Sequence, residues 1–195
     1  GKTVKQILAE WKIETEKACA KGTEKHNFLE QCVKRCNNYY LNANGFINGR
    51  IYTIDDIIRT HSYGRLDLNY FRVVGIADRY PQIYSFISEM VSLGFEIYAE
   101  IGVYNSTFLI SGLVDILFVK GDEFFIVDWK TNKAPIRFEG GHWAKKADGT
   151  IDLDKYVITN ETMLFPINHL QDSTGIHYSL QLSMYDYLIE QWGFK

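Results

Sequence analysis

The sequence predicts an α/β domain in which a central sheet is covered by helices. Three observations carry that prediction. Apolar residues recur at helical spacing from Val4 to Tyr40. Between Phe95 and Asn132 the period shortens, and β-branched and aromatic residues dominate. The chain then closes on "HYSLQLSMYDYLIEQWG", a strongly helical stretch. With 195 residues, one domain is the simplest reading and is long enough to bury a sizeable core.

Each element follows from local pattern. "TVKQILAEWKIETEKACAKG" places Val4, Ile7, Leu8 and Trp11 on one helix face, with Gly22 as the expected stop. "TEKHNFLEQCVKRCNNYYLNANG" reads as a second helix, with Thr23 as N-cap and Leu29, Cys32, Val33, Cys36 and Tyr40 on its apolar stripe. "TIDDIIRT" reads as a short helical turn, and "YPQIYSFISEMVSLG" as a third helix closed by Gly94. Three antiparallel strands are expected in "FEIYAEIGVYN", "TFLISGLVDILFVKG" and "EFFIVDWKTN", with Gly121-Asp122 as a hairpin turn. Residues 134–177 read as an irregular insertion containing a small hairpin at "HWAKKADGTIDLDKYVI". The reading is one domain over 1–195 with that insertion; the start at Gly-Lys-Thr without Met is what a piece of a longer protein would show.

Composition narrows the partners. A net charge of -3 gives no global basic footprint, so any nucleic-acid contact must come from a local groove. No apolar run approaches the ~20 residues a membrane-spanning helix needs, and no signal peptide is evident. A cytoplasmic protein is therefore expected, in a bacterial or phage-infected cell once the resemblance below is considered. Cys19, Cys32 and Cys36 are an odd, early set, expected as small core residues rather than a disulfide framework or a metal site. Lys34-Arg35 and Lys145-Lys146 are expected on the solvated surface.

The chemistry concentrates in "SGLVDILFVKGDEFFIVDWKTNK", where Asp115, Asp128 and Lys130 interrupt apolar runs. Buried charge is costly unless it is paired. Strand alternation would put Asp128 and Lys130 on one face with Phe124 and Ile126. Asp115, read near its strand end, would then come within cross-strand reach of Asp128. Two such carboxylates repel unless a cation lies between them, and an oxygen-rich site of this kind suits Mg²⁺ or Mn²⁺.

"GLVDILFV" followed by "FFIVDWKTNK" resembles the active-site hairpin of the PD-(D/E)xK nucleases: an acid, a spacer, then acid-x-Lys. Asp115, Asp128 and Lys130 match it in order. "GTEKHNFLE" resembles the Gly-x-x-x-His-x-x-x-Glu stretch of the RecB-like and phage-type exonuclease branch, and "QLSMY" its Gln-x-x-x-Tyr helix. The matches span residues 22–185, and four in one order outweigh the structural reading that each residue invites alone.

The resemblance implies a restriction-endonuclease-like core, a central mixed sheet flanked by helices, and a site built from these positions. Asp115 and Asp128 would hold the metal with His26 and the backbone carbonyl of Trp129, and Glu100 is a further candidate. Glu30, one turn beyond His26, would orient the imidazole. Lys130 would position the attacking water or neutralise developing charge, and Gln181 and Tyr185 would hold a phosphate or buttress Lys130. His61, His142, His169 and His177 match nothing in the pattern. No cysteine follows Cys36, so the iron–sulfur cluster of some relatives is not expected.

The implied activity is divalent-metal-dependent hydrolysis of DNA phosphodiesters by an exonuclease or end-processing enzyme in replication, recombination or repair. Rival expectations are a structure-specific or single-strand endonuclease and a non-catalytic nucleic-acid-binding module of the same fold. Expected partners are DNA ends or single strands, with a helicase, a recombination partner or a second copy of the chain supplying grip; no membrane is expected.

Overall fold

One continuous helix, α1 (Val4–Cys36), stands where two were expected. Gly22 does not stop it and Thr23 is not its cap. Glycine inside a helix costs only about 1 kcal/mol, and the strong formers Ala18, Ala20, Lys21, Glu24 and Lys25 surround it. The cap is Thr3, whose Oγ1 accepts from Gln6 N while Gln6 Oε1 accepts from Thr3 N, a reciprocal capping box. Residues 3–40, 51–60 and 64–195 are described by this computed structural model. The expected end of the second helix, in residues 41–45, lies outside them, as does His61.

The chain divides into two compact units, 1–129 with 189–195, and 130–188. The first contains a four-stranded mixed sheet in the order β1-β2-β3-β4. Its strands are β1 (Tyr52–Thr53), β2 (Glu96–Asn105), β3 (Ile110–Lys120) and β4 (Glu123–Val127). β1 runs parallel to β2, whereas β2-β3 and β3-β4 are antiparallel. The Gly121 turn, at φ 64°, joins the last two strands. Flanking helices are α2 (Ile54–Thr60), α3 (Leu68–Val73), α4 (Ile76–Arg79) and α5 (Pro81–Ser92). The protein is thus mixed α/β. β1, α3 and α4 were not expected, since elements this short display no hydrophobic period.

The core of this unit joins Leu29, Cys32, Val33 and Cys36 of α1 to Ile97, Ala99, Ile116 and Phe118 of the sheet. Cys32 and Cys36 are core residues as expected, but Cys19 is exposed, in the first half of α1 on which little packs among the described residues. Beyond α1, Asn37 and Tyr40 close the edge of β2. Asn37 Nδ2 donates to Ile97 O, while Tyr40 Oη donates to Ala99 O and accepts from Ala99 N at 2.9 Å. At Ile101 and Gly102 β2 is paired with β1. Glu100 lies between these two partners in a left-handed conformation, φ 56°.

The second unit holds the hairpin β5 (Gly141–Lys145) and β6 (Ile151–Ile158), where the sequence placed one, and α6 (Thr174–Glu190) as far as Leu188. Arg137 lies over the rings of Trp143 and Tyr156, which meet edge to face. Gly175 in the first turn of α6 donates its N–H to Arg137 O at 2.8 Å, and a Cβ there would come within 2.7 Å of that oxygen. Among the described residues no helix is long and apolar enough to cross a membrane.

Candidate active site

Asp115 occupies the middle of β3, not its end. Its Oδ2 accepts the backbone N–H of Trp129 at 2.7 Å. That bond takes the place of the next ladder bond, and β4 stops at Val127, the partner of Ile116. The strand alternation expected to carry Asp128 and Lys130 onto one face therefore does not reach them. Asp128 follows the strand end and is half-buried, and Trp129 packs its ring against the core. Trp129 thus meets Asp115 through its N–H, whereas the resemblance implied a role for its carbonyl.

α1 supplies the opposing wall. His26, Glu30 and Lys34 recur at i, i+4 and i+8 and share one helix face. His26 Nδ1 stands 3.6 Å from Asp115 Oδ2, the imidazole about one-third exposed. Glu30, expected to orient that imidazole, instead accepts from Lys34 Nζ at 2.6 Å. Lys34 corrects a second expectation: it is buried, 6% exposed, not solvated. Its ammonium also lies 5.2 Å from the centre of the Tyr40 ring.

Glu100 completes this cluster from the strand side. The register of β2 against β3 sets Ala99 opposite Ile116 and Ile101 opposite Val114, which brackets Glu100 against Asp115. Burial, reinforced by the charges of Glu30 and Asp115 and opposed by Lys34, pushes its carboxyl up to about 7. Glu96, four residues earlier, is instead engaged by the Tyr98 hydroxyl at 2.7 Å.

In the second unit Lys130, Gln181 and Tyr185 form a chain. Lys130 Nζ donates to Gln181 Oε1 at 3.2 Å, and Gln181 Nε2 donates to Tyr185 Oη at 2.9 Å. Both α6 positions lie on one face, at i and i+4. Lys130 Nζ also sits 4.3 Å from the Tyr178 ring centre, and Tyr178 Oη donates to Asn132 Oδ1 at 3.1 Å. Tyr178 escapes the sequence reading, which puts Lys34 on the surface and Tyr40 on a helix stripe. The signal for Lys34 was present, because an acid four residues before a lysine on a helix is a pairing pattern.

Among the described residues, no three His, Cys, Asp or Glu side chains are grouped to hold a metal ion. Asp115 offers the oxygen donor that a hard cation prefers, while the His26 imidazole is a softer nitrogen donor. Mg²⁺ is typically bound by one or two carboxylates, with water and substrate phosphate completing its shell at bonds of about 2.1 Å. Adjacent ligands of such an ion lie roughly 3 Å apart, and the 3.6 Å between His26 and Asp115 is near that spacing. Comparison with family models, curated proteins and solved structures returned no match.

Proposed function

We propose that this chain is a divalent-metal-dependent DNA nuclease of the PD-(D/E)xK type, in its RecB-like branch, with a restriction-endonuclease-like core. One observation carries the reading: the His26 imidazole of α1 meets the Asp115 carboxylate from the middle of β3, with Asp128 directly after the adjoining strand. One side chain from α1 and one from β3 thereby come together, which supports reading the motifs as one site.

His26 and Asp115 would hold Mg²⁺ or Mn²⁺, with Asp128 and Glu100 as further oxygen donors. When bound, such an ion polarises a phosphoryl oxygen and lowers the pKa of a bound water. The chain's own residues supply the remaining roles. Lys130 stabilises the charge that develops on the phosphoryl oxygens, or orients the attacking water. Gln181 and Tyr185 limit the freedom of that ammonium, which supports the buttressing role over direct phosphate contact. The substrate is DNA presented as ends or single strands, and a helicase, recombination partner or second copy would add grip that a chain of charge -3 lacks.

A second reading, a nucleic-acid-binding module without catalysis, is favoured by the Asp115–Trp129 hydrogen bond, because an acid that ends a strand has a structural reason to be there. The deciding experiment incubates end-labelled linear DNA and covalently closed circular DNA with Mg²⁺ or Mn²⁺, using wild type, Asp128→Ala and Lys130→Ala. Metal-dependent loss of linear DNA alone, abolished by both substitutions, is the expected result. Cutting of the closed circle supports an endonuclease. DNA binding without cleavage supports the module.

A further inference from the structure

Lys34 ties together the wall formed by α1 and β2: it binds Glu30 directly, and its charge opposes the burial and the carboxylates of Glu30 and Asp115 that raise Glu100. Lys34 is unlike an ordinary surface partner. It is buried, its Nζ is 2.6 Å from Glu30 Oε1, and the same Nζ lies over the Tyr40 ring, 5.2 Å from its centre. Tyr40 in turn holds both backbone polar groups of Ala99, the residue before Glu100. The ammonium, its clasping carboxylate and the backbone that presents Glu100 therefore form one connected assembly.

We propose that Lys34, clasped by Glu30, is the resident second cation of the nuclease site, so that a single divalent ion is taken at His26 and Asp115. The inference rests on the nuclease reading and deepens it by fixing the number of ions. Two-metal sites set their ions about 4 Å apart and share a carboxylate between them. Here a Glu30 oxygen that could serve such a second ion is committed to Lys34, and the buried ammonium cannot leave without stranding the half-buried Glu30 carboxylate.

The test counts Mn²⁺ bound per chain, from the loss of the free-ion electron paramagnetic resonance signal, with circular dichroism reporting the fold. The wild type should bind one, Lys34→Arg one and Lys34→Met two, the second ion at least about tenfold tighter than any second ion on the wild type. Two ions on the wild type, or one on folded Lys34→Met, overturn the inference and leave the nuclease reading standing. No Mn²⁺ on the folded wild type removes both. If Lys34→Met does not fold, the paired change Glu30→Gln with Lys34→Met removes both charges together and must still bind one ion; none or two overturns the proposal.

Discussion

The Asp115 carboxylate accepts the Trp129 N–H at 2.7 Å while standing 3.6 Å from the His26 imidazole. One side chain thus ends a strand and faces a candidate metal ligand. The two tasks differ in what they require, because an amide oxygen can accept a hydrogen bond but is a poor anchor for a divalent cation. Asp115→Asn should therefore keep its melting temperature within a few degrees of the wild type and lose metal-dependent cleavage by roughly 100-fold or more. Asp115→Ala should lose the same activity and also about 1–3 kcal/mol of stability, as the half-buried N–H loses its partner. Thermal melts beside cleavage assays separate the two. An Asp115→Asn variant that cleaves normally would leave Asp115 with its structural task alone.

Glu100 carries a pH dependence of definite sign. Its carboxyl is pushed from an ordinary 4.5 up to about 7, so the fold favours the protonated form. That stability is fully present below pH 4.5 and is lost as the pH rises through about 7. Glu100→Gln is spared the loss. Its melting temperature should match the wild type at pH 4.5 and exceed it at pH 8 by on the order of a few degrees. Equal melting temperatures at both pH values would contradict the burial argument.

The thiols should separate by location. Burial raises Cys32 to about 11 and Cys36 to about 12, which leaves both protonated and inert near neutrality, whereas Cys19 is exposed on α1. A colorimetric disulfide reagent should titrate one thiol in the native protein and all three in denaturant. Cys19→Ser should abolish the native reaction.

Gly175 tests the second unit. A Cβ at this position would meet Arg137 O and the Phe138 ring, each within 2.7 Å, and the first contact is unyielding backbone. Gly175→Ala should cost about 1–3 kcal/mol. Limited proteolysis should show faster cleavage within residues 130–188 and unchanged cleavage elsewhere.

The sequence was legible where a pattern is local. β3, the start of β4, the second-unit hairpin and α6 each repeat their period over enough residues, or carry a strong enough turn, to be read alone. The expected run of β4 through Asn132 stops instead at Val127. The candidate site was legible as a set of motifs, and its helix and strand members, His26 and Asp115, do meet. What could not be read depends on distant partners. Gly22 is the exception, since the neighbours that carry the helix past it are local and were underweighted against the glycine. Lys34 reads as surface because Lys-Arg pairs usually are, and only its contacts with Glu30 and Tyr40 make it interior. The left-handed turn of Glu100 has no sequence signal, since it arises where Tyr40 hands the β2 edge over to β1.

From Val4 to Lys21 every residue of α1 except Ile7 is exposed, a stretch of roughly 27 Å at 1.5 Å per residue. Such a stretch gains almost nothing from the hydrophobic core and rests on its capping box and intrinsic propensity. Unfolding need not then be all-or-none. The helical signal in the far ultraviolet should begin to fall before the aromatic environment around Phe71, Tyr98 and Phe118 changes, so the two probes would give different midpoints. A single free energy fitted to either curve would describe part of the chain, and the first half of α1 would behave as a thermometer of its own.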